Sequence, residues 1–201
     1  MKTAIACLSL LLACGCEALK PASAPHPKHY SLADARSLAP MVRTVAAATR
    51  TLIVNPPHAA AGFDSEHIIY VRQPGQPEYF AHNEWVDTPA RMLAPLIVAA
   101  VERSGAFRAV VQMPSIAAGD MRLDTEILRL QHEFLEKPSR VRFTLRAYLV
   151  ETGNRRVIAS REFEAIATSA SEDPHGGVVA ATQAVREVLE ELSAFCAEAA
   201  R

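Results

Sequence analysis

Val141, Phe143, Leu145, Ala147 and Leu149 alternate with Arg140, Arg142, Thr144 and Arg146. That period of two predicts a strand with one face in a core and a cationic face toward water. Upstream, Met121, Leu123, Thr125 and Ile127 alternate with Asp120, Arg122, Asp124 and Glu126, and the apolar set then shifts to Leu128 and Leu130. The shift predicts a β-bulge near Ile127. Thr152-Gly153-Asn154 is hairpin-turn chemistry, so Arg156 to Glu164 should return antiparallel. Further upstream, Thr51-Leu52-Ile53-Val54, closed by Asn55-Pro56-Pro57, reads as a buried strand. Ile68 to Arg72 and Glu78 to His82 flank the turn residues Pro74-Gly75-Gln76-Pro77 and form a second hairpin. Ala109 to Gln112 and His29 to Leu32 are short strands, while Ala33 to Arg50 leaves a loop and a short helix both open.

Two stretches change period to 3.6. Leu93, Leu96, Ile97, Ala100 and Val101 form one apolar stripe, with Thr88 as N-cap, Pro89 at the first helical position and Gly105 as the stop. The last helix runs from about Gly177 to Glu198 and buries Val178, Ala181, Val185, Val188, Leu189, Leu192 and Phe195. Strands with helices between and after them predict an α/β fold, a mixed α+β sheet with helices packed on it.

The N-terminus obeys a different pattern. Lys2, the apolar run Ala4 to Leu12 and then small residues make a secretory signal peptide. Leu11-Leu12-Ala13-Cys14 resembles the lipobox of bacterial lipoproteins, whose cysteine is lipidated and becomes the mature N-terminus. Cys16, after Ala13-Cys14-Gly15, is the poorer alternative. The run is too short for the roughly 20 residues of a membrane span. The expected organisation is a signal peptide over 1–13 (1–15 if Cys16 is lipidated), a Pro/Ala-rich tether over 14–27, and a single domain over 28–201.

Composition narrows the function. The 201 residues are 50% hydrophobic and 21% charged, with a net charge of -1. Without a basic excess, nucleic acid is not an expected partner. Of four cysteines, Cys7 lies in the signal, Cys14 and Cys16 compete for the lipid, and Cys196 falls on the apolar face of the last helix, so no disulfide framework is available.

Gly62-Phe63-Asp64-Ser65, Ile68-Ile69-Tyr70, Tyr79-Phe80-Ala81 and Trp85-Val86-Asp87-Thr88-Pro89-Ala90 follow one another in an order that resembles the ABC-type transport auxiliary lipoproteins, the PqiC-like family. Ser104-Gly105-Ala106-Phe107, Pro138-Ser139 and Val178-Val179-Ala180-Ala181 extend the resemblance to nearly the whole chain. It implies a three-layer, anticodon-binding-like domain similar to the N-terminal domain of TolB. It also implies a non-enzymatic lipoprotein on the periplasmic side of the outer membrane, less readily of the inner membrane. Its partners would be MCE-domain proteins and ABC transporter subunits that move lipids or other hydrophobic molecules. A lipid-binding carrier is the alternative, and assembly as a homo-oligomer is plausible by analogy. If Cys16 bears the lipid, Glu17 follows it directly and bears on sorting.

Other chemistry is thin. His26, His29, His58, His67, His82, His132 and His175 are scattered and lack zinc-enzyme spacing, so no metal is expected, and no cofactor beyond the covalent lipid. Neither a Gly-x-Ser-x-Gly elbow nor a phosphate-binding Gly-x-x-x-x-Gly-Lys loop is present. Asp64-Ser65 reads as turn chemistry, Asp87-Thr88 as capping, His175-Gly176-Gly177 as a helix start, and Trp85 as core packing. The candidate surface is cationic: Arg140, Arg142, Arg146 and Arg156, suited to an anion or an acidic partner. The competing reading pairs these arginines with Glu162, Glu164, Asp124 and Glu126 on a solvated sheet face.

Overall fold

Period-two segments become strands and period-3.6 segments become helices in the computed structural model, which describes residues 26–36 and 48–201. The lipobox with Cys14 and Cys16, most of the tether, and residues 37–47 lie outside the described residues. The strands are β1 (Lys28–Tyr30), β2 (Thr51–Val54), β3 (His58–Ala59), β4 (His67–Gln73), β5 (Gln76–Trp85), β6 (Ala109–Gln112), β7 (Met121–Glu133), β8 (Arg140–Glu151) and β9 (Arg156–Thr168). The helices are α1 (Pro89–Arg103) and α2 (Pro174–Ala199), and a 3-10 turn spans Ala33–Arg36.

β7 organises the nine-stranded mixed sheet. One of its edges carries β8 antiparallel, and β9 follows β8. The other edge serves three parallel strands in turn: Leu52 of β2 lies opposite Met121, His58 of β3 opposite Glu126, and Tyr70 of β4 opposite His132. β6 then extends β2, while β5 and β1 extend β4. The register slips between Ile127 and Arg129, where the sequence pattern places a bulge. The slip returns Leu130 and His132 to the buried face.

Both helices pack on that face. Leu93, Leu96, Ile97, Ala100 and Val101 of α1 are buried, as are all seven apolar residues assigned to the stripe of α2. Ser193 of α2 donates a 2.9 Å hydrogen bond to the Ala100 carbonyl, which fixes one helix on the other. Over β7–β9 this makes two layers. The opposite face of β7–β9 carries charged residues, among them Arg142, Arg146, Glu162 and Glu164.

The ends of the helices depart in detail from expectation. Pro89 does open α1, but Thr88 forms no side-chain cap. The Asp87 carboxylate instead accepts from the Thr88 N–H at 2.8 Å. α2 starts at Pro174 rather than Gly177, because Asp173 supplies a cap by accepting from Gly176 N–H at 2.8 Å. His175, Gly176 and Gly177 therefore lie inside the first turn. Gly105 does stop α1, at φ 62°, a backbone angle that suits glycine.

Candidate functional site

The outward faces of β7, β8 and β9 bring the predicted arginines into a charge ladder. Arg142 reaches both neighbouring strands, with Nε 2.9 Å from Glu133 and Nη1 2.6 Å from Glu164. Arg146 spans Glu126 at 3.4 Å and Glu162 at 3.1 Å. Arg140 lies 3.5 Å from Glu133 and 3.7 Å from Glu136. Asp124 serves Arg122 at 2.9 Å and Asn55 at 2.6 Å rather than these arginines. Arg156 stands apart at the β8–β9 hairpin, in register with Glu151. Arg161 faces the helix layer, with its guanidinium 5.1 Å from the Phe195 ring. The face is thus charge-compensated, and three of the four candidate arginines share it.

The ladder is anchored by a residue that sequence reading missed. Glu133 is 4% exposed. Burial alone would push its carboxyl up, but hydrogen bonds from Arg142 and Gln131 and the nearby guanidinium charges outweigh that and hold it below the usual carboxylate range. Its partner in turn holds the Arg142 guanidinium above its ordinary value. The available signal was the short connection to Arg140, which puts Glu133 opposite Arg140 in the β7–β8 pair.

His132, on the other face of β7, is 2% exposed and belongs to a polar latch. Its Nε2 lies 2.9 Å from Ser139 Oγ, while Nδ1 has no hydrogen-bond partner. The Glu172 carboxylate accepts from Ser139 N–H at 2.8 Å, and Ser139 carbonyl accepts from Ser169 N–H at 2.8 Å. The latch ties the β7–β8 turn to the start of α2. Burial holds the His132 imidazole below its ordinary pKa, against the opposing charges of Glu172 and Asp173.

The sign of the resulting pH dependence is fixed. The unfolded imidazole takes up a proton near pH 6.5 and the folded one only at lower pH. The stability His132 contributes is therefore complete above about pH 6.5 and falls as pH drops below it, by up to about 1.4 kcal/mol per pH unit until the folded group titrates. Urea unfolding at pH 7.5 and 5.5 should show that loss, and His132→Gln should lessen it. An unchanged slope in the variant contradicts the assignment.

The other groups singled out from the sequence lie apart from the ladder. His67 lies 3.8 Å from Glu84. Among the described residues, no group of three or more histidines, cysteines or carboxylates is placed to hold a metal. Trp85 is 3% exposed and belongs to the core. Cys196 is a free thiol at 0% exposure, and burial pushes it up to about 12. With Cys7, Cys14 and Cys16 changed to serine, Cys196 should react with a thiol reagent only at the rate of unfolding. Rapid stoichiometric labelling of the native protein would contradict this placement.

The apolar pocket between Ile68, Trp85, Leu130, Val141, Gly177 and Ala181 has a volume of only about 10 Å³. That is at most room for one water molecule and none for an acyl chain.

The family model described as the ABC-type transport auxiliary lipoprotein component matches residues 30–193. The crystal structure of protein XCC0632 from Xanthomonas campestris, described as a DUF330 protein, is 27% identical and superimposes with a TM-score of 0.69, covering 75% of this chain and 85% of its own. The hypothetical protein CT253 from Chlamydia trachomatis is 10% identical, with a TM-score of 0.55 over 76% of this chain and 98% of its own, a likeness of fold alone. No curated protein matches the chain in sequence.

Proposed function

The chain belongs to the ABC-type transport auxiliary lipoprotein family, and from that premise we propose that it is a docking accessory of an MCE-type transport system for lipids or other hydrophobic molecules. Its mechanism is positional. A lipid on Cys14, or on Cys16 as the alternative, fixes one end at the periplasmic side of the outer membrane. The Pro/Ala-rich tether gives reach, and the folded domain presents a protein-binding surface. Two or more acyl chains at about 0.8 kcal/mol per buried methylene make such an anchor stable.

The observation that carries the reading is the family match over residues 30–193, and the small apolar pocket between helices and sheet agrees with it. A carrier needs a cavity for its cargo, and the apolar pocket of about 10 Å³ has no room for one. A pocket of that size leaves no place for a lipid between helices and sheet, which favours an accessory that binds protein over a carrier that holds its cargo there. Its family is one of auxiliary transport components rather than of enzymes.

The test is a pull-down of the tagged native protein from detergent-solubilised membranes, with mass spectrometry of proteins and lipids. Recovery of an MCE-domain protein or ABC transporter subunit, with no lipid beyond the N-terminal acyl groups, is the expected outcome. Stoichiometric phospholipid without such a partner sinks the docking reading. For the anchor, Cys14→Ser should abolish acyl labelling and move the protein from the membrane to the soluble fraction, while Cys16→Ser should leave both unchanged. The reverse pattern assigns the lipid to Cys16.

A further inference from the structure

A groove of about 750 Å³ runs between the β1 edge with its following 3-10 turn and the outward stripe of α2. His29, Tyr30 and Asp34 line one wall, and Val178, Val179 and Glu187 the other. The α2 stripe runs from His175 to Glu190, about 22 Å at 1.5 Å per residue. An extended peptide covers that length in about seven residues. Val178 and the half-exposed Val179 give the groove an apolar floor. Arg186 closes it at one side, donating from Nη2 to the Asp34 carbonyl at 3.2 Å and so joining the two walls.

Two further features select an extended chain as the occupant. Among the described residues β1 pairs only with β5, and no described strand lies on its other edge. The Tyr30 carbonyl accepts from Val86 N–H on the β5 side. Backbone groups alternate in direction along a strand, so those of His29 turn to the open edge. An incoming segment can add to that edge while its side chains lie on α2, a recognition mode that combines main-chain hydrogen bonds with side-chain pockets. The charge of the walls selects the sign. Asp34 and Glu187 stand against the guanidinium of Arg186, whose Nη2 donates to the Asp34 carbonyl while its Nε has no hydrogen-bond partner among the described residues; Glu190 also faces Arg103.

We propose that this groove binds an extended basic segment of a partner protein, with aliphatic side chains on Val178 and Val179 and Lys or Arg side chains against Asp34 and Glu187. The inference rests on the docking reading for the identity of the partner as a transport component, and on the groove alone for its chemistry. The arginine ladder on the far side of the sheet is a poorer candidate because its charges are already paired.

The test uses the full-length chain in a non-ionic detergent and two fluorescent heptapeptides, Lys-Val-Lys-Val-Lys-Val-Lys and its glutamate counterpart. Fluorescence anisotropy at low salt should show the basic peptide binding at least tenfold tighter, with the difference shrinking as salt rises. The exposed double change Asp34→Lys and Glu187→Lys should remove that preference or reverse it, and circular dichroism checks that the fold is retained. Thr182→Trp, which narrows the groove without altering charge, should weaken the basic peptide about tenfold. Equal binding of the two peptides, or indifference to the double change, overturns the proposal. So does a concentration-dependent self-association that the double change abolishes, which assigns the groove to a second copy. Binding that appears only after deletion of residues 37–47 overturns it as well. The two readings separate cleanly. If the groove is correct and the transport docking is not, the peptides discriminate and no transporter subunit co-purifies. If docking is correct and the groove is not, the Asp34→Lys, Glu187→Lys chain still retains its partner in the pull-down.

Discussion

Gly177→Ala is expected to destabilise the protein by about 2–3 kcal/mol, within the usual range for overpacking a core. Helix propensity points the other way, since alanine is better than glycine in a helix interior by about 1 kcal/mol. The geometry decides between them. A Cβ on Gly177 would lie inside van der Waals contact of His132 Nδ1, with Cε1 at 2.9 Å and Cγ at 3.1 Å. The ring cannot swing aside without cost. Ser139 holds its Nε2 at 2.9 Å, and the Phe134 ring lies 4.1 Å away between centroids. Thermal unfolding should show a fall of roughly 5–10 °C for a domain of this size. Combining the change with His132→Ala should recover much of the loss, because the two sites are coupled through one contact. A more stable Gly177→Ala protein would mean that propensity outweighs the clash and that the latch yields.

The latch matters beyond stability because it sets where α2 lies. The turn that touches His132 also presents His175, Val178 and Val179 to the groove beside β1. A displaced first turn would alter that groove without touching the charge ladder, which lies on the opposite face of β7.

Much of this architecture is legible in the sequence because it is periodic. Alternation over Val141–Leu149 needs no partner to be recognised, and the slip at Ile127 announces its bulge through the displaced apolar residues. β3, by contrast, is two residues after a Pro-Pro pair and exists only because β7 has a stretch of free edge beside it. No local pattern records such a pairing. β9 reaches Thr168 rather than Glu164 for a similar reason, since β8 is long enough to pair with the whole of it. Of the site, the arginine column is readable but its neutralisation is not fully so. Glu162 and Glu164 can be placed by hairpin register, whereas Glu133 and Glu136 require the β7–β8 turn to be located first. The latch is hidden more deeply. Ser139 and Glu172 are 33 residues apart and meet through the path of β8 and β9. His132 reads as an isolated histidine until that path is known.

Glu133→Ala should cost about 2–3 kcal/mol, whereas Glu164→Ala should cost less than about 1 kcal/mol, although both carboxylates bind Arg142. The difference lies in solvent. The Glu133 side chain is 5% exposed and that of Glu164 is 41% exposed. Losing Glu164 leaves Arg142 with its inner partner and lets water replace the outer one. Losing Glu133 leaves Arg140 and Arg142 facing each other across the space of the missing carboxylate and strips Gln131 of its acceptor. The expected loss lies below the 3–5 kcal/mol typical of a fully buried pair, because both guanidiniums keep some contact with water and can rehydrate. The pH dependence gives an independent reading. A carboxyl held below its unfolded pKa contributes stability that is complete above about pH 4.5 and is lost as pH falls through the folded value. Acid unfolding of Glu133→Ala should therefore be less steep than that of the unmodified protein in this window, while Glu164→Ala should differ little from it. Equal losses in the two variants would show that the ladder acts as a screened surface array rather than hanging from one buried anchor.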